Sequence, residues 1–176
     1  MDVEFILIRR MKRGDKYSFD IFVNKYYEAI LKYCTYHCPN QQCAEDLTQE
    51  TFIKFFSELS DYDCKGKTKN YLYTIARNLC KDYYKKIKEV PIENMKPYEN
   101  IAQEEYESEN TINNMIIQWA LNQLPYELRE VIILYYFHDL KLKEIAIILK
   151  ISLPLVKYRV KQAKLQLEKL LRKEDI

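Results

Sequence analysis

The side chains best suited to chemistry lie in the stretch YCTYHCPNQQC, where Cys34, His37, Cys38 and Cys43 supply three thiols and an imidazole within ten residues. Soft sulfur and nitrogen donors at close spacing suit zinc or thiol redox chemistry. If the helical spacing runs through His37, then Cys34, His37 and Cys38 share one face, and Cys43 returns after Pro39 as a fourth ligand. These spacings match no familiar zinc module, and small buried cysteines are common. No metal or cofactor is therefore assigned. The four residues remain the candidate ligands of a rival reading, a zinc- or thiol-responsive regulator. No catalytic constellation competes with it: His37 and His138 lie far apart in sequence, and Gly14 and Gly66 alone cannot build a glycine-rich phosphate loop. The chain reads as a non-enzyme.

A second kind of chemistry is carried by rings and cations. In NYLYTIARNLCKDYYKKIK, helical spacing buries Leu72, Ile75, Ala76, Leu79 and Tyr83. It leaves Tyr71, Thr74, Arg77, Asn78, Lys81, Tyr84 and Lys85 around the outer side. Rings stack on unpaired bases while cations neutralise phosphates, although 16 tyrosines in the chain also permit chance clustering. Upstream, CAEDLTQETFIKFFSEL sets Ala44, Leu47, Thr51, Phe55 and Leu59 on one face, with Asp46, Gln49, Glu50 and Ile53 opposite. An exposed isoleucine among polar groups suits a partner surface, and the same spacing also suits an ordinary solvated face.

The third stretch is KEIAIILKISLPLVKYRVKQAKLQLEKLL. Apolar spacing through Ile145, Ile148 and Leu149 breaks at Lys150, Ile151 and Ser152, then restarts with Val156, Val160, Ala163, Leu167 and Leu170 on one stripe. Ser152 is placed to cap the second helix, and Pro154 falls in its first turn. Residues 150–173 hold eight Lys/Arg against one acid, a positive field suited to a phosphate backbone. A three-residue break with small Ala146 near the crossing is a helix-turn-helix pattern, whose second helix enters the major groove. Taken alone, this stretch is better described as two ordinary antiparallel helices with a lysine-rich solvated face. Lys150 stands where the turn usually has Gly, and Lys141 where a Ser/Thr cap is expected.

These elements need a helical frame. The chain has 176 residues, is 48% hydrophobic and 31% charged, and contains only two glycines and five prolines. That composition supports one or two small helical domains. The net charge of +2 hides an uneven distribution: residues 1–87 carry 15 basic against 12 acidic groups, residues 88–110 carry 2 against 7, and residues 111–176 carry 11 against 7. The acidic middle, with Pro91 and Pro97, reads as a linker. The expected architecture is all-α: a domain over 1–88, an acidic linker over 89–110, and a helix-turn-helix domain over 111–176. The N-terminus places its charges after a short apolar patch, the reverse of a secretory signal, and no long uncharged apolar run follows. The expected location is the cytoplasm, with no membrane insertion and with the five cysteines as free thiols.

Taken in order, AEDLTQETF, YLYTIARNLCKDYYKK and LPYELREVIILYYFHDLKLKEIAIILKISLPLVKYRVKQAKLQL resemble a small two-domain bacterial sigma factor of the extracytoplasmic-function type, or the related clostridial toxin-gene regulators, over roughly residues 10–172. The resemblance implies that the first domain binds the clamp helices of RNA polymerase and melts the −10 element. The second domain reads the −35 element and touches the polymerase flap, and the linker threads toward the RNA exit path. Core polymerase, promoter DNA and an anti-sigma protein are the implied partners. Carried over by position, Asp46, Gln49, Glu50 and Ile53 fall on the polymerase-binding helix. Tyr71 stands where the family commonly has Trp, Asn78 matches the Asn beside the melted strand, and SDYDCKGKTKN matches the segment that captures a flipped base. With Arg77, Lys81, Tyr84 and Lys85 they form the expected −10 set. Lys157, Tyr158, Arg159, Lys161 and Gln162 form the −35 set. A stand-alone, dimeric helix-turn-helix repressor is the other alternative, separated from a sigma factor by binding palindromic DNA without polymerase.

Overall fold

The computed structural model describes residues 3–63, 66–88 and 109–172. Among the described residues the chain is helical with no β-strand, as expected. It divides into two units, Met1–Ile101 and Ala102–Ile176. The expected linker lies outside the described residues except for Glu109 and Asn110, which open a helix.

The first unit contains α1 (Val3–Lys12), α2 (Lys16–Thr35), α3 (Gln41–Ser57) and α4 (Thr68–Lys88). Helices α2, α3 and α4 pack on one another in every pairing, and α1 lies on α2 through Ile8 and Met11. Phe22 of α2 stacks on Phe55 of α3 at 4.8 Å between centroids and 7° between planes, and Leu72 and Ala76 of α4 are also buried. The large side chains Phe22, Phe55 and Leu72 each contribute about 1.5–3 kcal/mol relative to exposure. On α3, Thr48 and Thr51 are buried without cost to their hydroxyls, which donate to the carbonyls of Ala44 and Leu47 at 2.7 Å. Asn40 caps α3 by accepting from Cys43 N–H at 2.7 Å. Lys12 Nζ donates to the carbonyls of Ser60 and Tyr62, at 3.1 and 2.6 Å, which ties the end of α1 to the segment after α3.

The second unit contains α5 (Glu109–Gln123), α6 (Tyr126–Ile132), α7 (Leu142–Leu149) and α8 (Leu153–Arg172); α6 runs directly into a π-helical turn, Ile133–Phe137. Helices α5, α6 and α7 all pack against α8. Its core is built from Leu121, Leu124, Val131, Ile145, Ile148 and Val156 with their neighbours. The break between α7 and α8 falls on Lys150, Ile151 and Ser152, where the sequence places it. Lys150 adopts φ 54°, ψ 44°. Its N–H donates to Ile147 C=O at 3.2 Å, and Ile151 N–H donates to Ala146 C=O at 3.1 Å. This pairing is the Schellman closure of a helix, made here without glycine. Ser152 Oγ accepts from Leu155 N–H at 3.4 Å and caps α8. At the start of α7, the missing Ser/Thr cap is replaced from the other side: the Glu144 carboxylate accepts from Lys141 N–H at 2.8 Å.

Two expected stripes need correction. On α4, Tyr73 and Cys80 are fully buried, whereas Leu79 and Tyr83 are only half-buried. Because α4 packs on both α2 and α3, its inner arc is wider than one stripe and rotated from it. On α8, Val156, Val160 and Ala163 are buried, but Leu167 and Leu170 are half-exposed, since the core covers only the first half of that long helix.

Candidate functional site

The outer face of α3 follows from its packing. Ala44, Leu47, Thr51 and Phe55 are committed inward, so Asp46, Gln49, Glu50 and Ile53 are all exposed on the opposite side. Ile53 is 66% exposed, a large apolar side chain ringed by two carboxylates and an amide. Such a pattern offers apolar area at the centre and charge selectivity at the rim.

On α4, Asn78, Lys81 and Lys85 are exposed, and Arg77 and Tyr84 are half-buried. The Tyr84 ring meets Tyr83 edge-on at 6.2 Å. Lys85 pairs loosely with Asp82 at 3.9 Å, both ends being well exposed, a contact of little energetic weight. Between α3 and α4 runs a groove of ≈ 400 Å³ lined by Leu47, Glu50, Leu79, Asp82, Tyr83 and Lys86. The half-exposure of Leu79 and Tyr83 follows from this groove. It brings a residue of the α3 outer face, Glu50, to the rim of the α4 face.

Tyr71 has a different setting from the other members of its set. Its hydroxyl donates to the Glu58 carboxylate, and its ring stacks on Tyr62 at 5.2 Å and 21°. Phe55 meets the same ring edge-on at 6.1 Å. The bond to Glu58, followed by burial, pushes the Tyr71 phenol up to about 12. Tyr62, whose hydroxyl donates to Thr68 Oγ1 at 3.0 Å, is thus a second ring beside the face that sequence reasoning did not single out. Its signal was available only as an aromatic within SDYDCKGKTKN, of which Cys64 and Lys65 lie outside the described residues.

On α8, Lys157, Tyr158 and Lys161 are exposed, with Tyr158 at 58%, and Arg159 and Gln162 are half-buried. One further cation belongs to this surface: Lys164 Nζ lies 5.2 Å from the Tyr136 ring centroid and 6.0 Å from that of Tyr135. Its hydrogen bond to Tyr136 holds the ammonium pKa above its ordinary value. Tyr135 also joins Lys157, Lys161 and Lys164 around a second open groove. The YY pair, 28 residues upstream of the lysine, carries no sequence signal for this contact.

The candidate ligands of the rival zinc reading do not share the expected helical face. Helix α2 ends at Thr35, so His37 and Cys38 lie beyond it and share no helical face with Cys34. His37 is fully buried, with Nδ1 2.8 Å from Tyr33 C=O and its ring stacked on that of Tyr33 at 4.3 Å. Among the described residues, no group of three or more His, Cys, Asp or Glu side chains could hold a metal ion. Cys34, Cys38, Cys43 and Cys80 are free thiols. No helix among the described residues is long and apolar enough to cross a membrane.

Two family models match the chain: Sigma-70 region 2 over residues 22–89 and Sigma-70, region 4 over residues 115–167. The ECF RNA polymerase sigma factor SigW of Bacillus subtilis is 31% identical over 177 residues, covering 94% of this chain and 95% of that protein. Among solved structures, CnrH in complex with the cytosolic domain of CnrY superposes with a TM-score of 0.77 at 21% identity, covering 98% of this chain and 99% of the other. The sigma factor RpoE in complex with the anti-sigma factor NepR from Bartonella quintana gives 0.69 at 24% identity, covering 88% and 96%. These two share the fold. With both sigma domains present in order and a relative aligned end to end, the chain belongs to the ECF family of RNA polymerase sigma factors, the DNA-binding subunits that direct polymerase in transcription initiation.

Proposed function

We propose that promoter recognition is divided between a first domain over 1–88 and a second over 111–176, joined by the acidic linker 89–110. In this reading α3 docks on core polymerase through Asp46, Gln49, Glu50 and Ile53. The outer face of α4, with Tyr71, Arg77, Asn78, Lys81, Tyr84 and Lys85, holds the melted −10 strand. Helix α8 reads the −35 duplex with Lys157, Tyr158, Arg159, Lys161 and Gln162. The protein acts in the cytoplasm and without chemistry of its own: it lowers the cost of opening DNA by giving the unpaired strand rings and cations to bind. An anti-sigma protein is its expected regulator, a reading supported by the relative crystallised with NepR.

The observation that carries the docking assignment is Ile53, an apolar side chain 66% exposed beside the exposed polar groups Asp46, Gln49 and Glu50, on a helix whose other face is committed to the core. The test is the double variant Asp46→Ala, Gln49→Ala in competition with the labelled parent for core polymerase. Affinity should fall while far-ultraviolet circular dichroism stays unchanged, because both side chains are exposed. Equal competition by parent and variant would reject α3 as the docking helix.

A further inference from the structure

The turn between α1 and α2 is strongly basic. Residues 9–16, RRMKRGDK, hold five cations against one acid. Arg9, Arg10, Lys12, Arg13 and Lys16 are all exposed. The acid is already engaged: Asp15 stands just before α2, and its carboxylate accepts from Ser18 Oγ at 2.6 Å. Arg9, Arg10, Arg13 and Lys16 form no ion pair among the described residues. Next to them Tyr17 is 71% exposed, the most open aromatic ring among the described residues.

The turn is fixed in place. Gly14 takes a left-handed φ of 82°, its N–H donates to Met11 C=O at 2.9 Å, and Asp15 N–H donates to Arg10 C=O at 3.2 Å. Ile8 and Met11 bury the opposite side of α1. Arg9 lies one turn before Lys12 and Arg13, so these three share one side of the helix end. Lys12 reaches from there to the carbonyls of Ser60 and Tyr62. The Tyr62 ring in turn stacks on Tyr71, the first ring of the α4 set. The basic turn thus adjoins the start of the α4 face. We propose that this turn, through Arg9, Arg13, Lys16 and Tyr17, is a second single-strand site that takes the unpaired promoter DNA as it leaves the −10 face. That role rests on α4 holding the −10 strand.

Helix ends account for only part of the charge. Arg9, Arg10 and Lys12 occupy the last turn of α1, where the helix dipole favours cations. Lys16 is in the first turn of α2, where the dipole disfavours a cation and no acid offsets it. Cations crowded at such a place repel one another, and a bound polyanion relieves the repulsion. The exposed ring points to an unpaired strand rather than a duplex. Duplex phosphates need only cations, whereas unpaired bases also present faces on which a ring can stack. Continuity with the α4 face through Lys12 and Tyr62 favours this strand over an acidic protein.

The test uses holoenzyme reconstituted from core polymerase and the full chain, with labelled single strands from a promoter that this holoenzyme transcribes. The strands carry the −10 element alone, or the element extended on one side or the other by about six unpaired nucleotides. The parent should bind one extended strand more tightly than the short one. Arg9→Gln, Arg13→Gln and Lys16→Gln together should remove that gain, a loss of about tenfold or more. They should also flatten the slope of log affinity against log salt by about 2, from three phosphates at about 0.7 each. Lys12 is left unchanged because it holds Ser60 and Tyr62. Tyr17→Ala should cut the gain by about fivefold or more at an unchanged salt slope. The triple variant should bind the short strand and core polymerase as the parent does. Asn78→Ala should weaken short and extended strands equally; parental binding of the short strand by that variant counts against the α4 face, while the gain from the extension is still read. No gain from either extension in the parent, or a gain kept by the triple variant, would overturn the assignment. A triple variant that loses core polymerase affinity to the same extent would also overturn it, marking the turn as a protein-docking surface.

Discussion

Lys150 sits at φ 54° just past α7, in the left-handed region that a side chain with a Cβ disfavours by about 1–2 kcal/mol. Replacing it with Gly removes that cost but adds freedom to the unfolded chain worth about 0.5–1 kcal/mol. The Schellman bonds from Lys150 N–H and Ile151 N–H are backbone bonds and survive the change. The net expectation for Lys150→Gly is a stabilisation of about 0.5–1 kcal/mol. For a domain of this size that raises the midpoint by roughly 2–8 °C. Lys150→Val should act in the opposite direction, because a β-branched residue fits the left-handed region worse than lysine does. The single tryptophan, Trp119, belongs to the second unit and is 41% exposed, so its fluorescence on heating follows this unit without interference from the first. A lower midpoint for the Gly variant, or a Val variant as stable as the parent, would refute the assignment of strain to this turn.

In the first unit, Phe55→Ala removes a fully buried ring that contacts Phe22 and Tyr62 and should cost about 3–5 kcal/mol in denaturant unfolding, enough to depopulate the folded domain. The Tyr71 phenol, raised to about 12 mainly by Glu58, contributes stability that is full below its unfolded value of about 10 and is lost as the pH climbs toward 12. The parent and Tyr71→Phe should accordingly converge in thermal midpoint across that window; a constant difference between them would show that the hydroxyl does not titrate there. Lys161→Ala should weaken −35 binding by about 1–3 kcal/mol and relax preference at one position if it contacts a base, whereas a uniform loss with a shallower salt dependence marks a phosphate contact. Asn78→Ala should spare recruitment, reduce permanganate reactivity of −10 thymines, and remain defective on a premelted template; wild-type opening by that variant would remove Asn78 from the −10 set.

The two faces of α3 were legible because one side of that helix packs inward and the spacing of Ala44, Leu47, Thr51 and Phe55 states which side. The α7–α8 break was legible for a similar local reason: three residues interrupt an apolar period, and Ser152 and Pro154 mark the restart. Helix α4 was only partly legible, because Tyr73 and Cys80 are buried by a second neighbour that periodicity within α4 cannot reveal. The same limit hid the bond from Tyr71 to Glu58 and the approach of Lys164 to Tyr136. Each joins residues from different elements, and each depends on the angle between helices rather than on residue spacing.

Both proposed contact surfaces lie on helices whose ends and inner faces are already fixed. Asn40 holds the start of α3, the hydroxyls of Thr48 and Thr51 are bonded along their own helix, and Phe55 fills the core. The outer residues Asp46, Gln49, Glu50 and Ile53 can then meet a partner without ordering a backbone first, which removes a large part of the entropic cost of association. The same reasoning applies to α8: Glu144 fixes the start of α7, the left-handed turn at Lys150 sets the change of direction, Ser152 caps the restart, and Val156, Val160 and Ala163 prevent rotation. A lysine presented from such a helix keeps its own flexible stem but has a fixed origin. Base discrimination at Lys161 therefore depends on the turn before α8 as much as on the lysine. A change at Lys150 that preserves the left-handed turn should leave −35 preference intact, while one that displaces it should shift preference at every position α8 contacts.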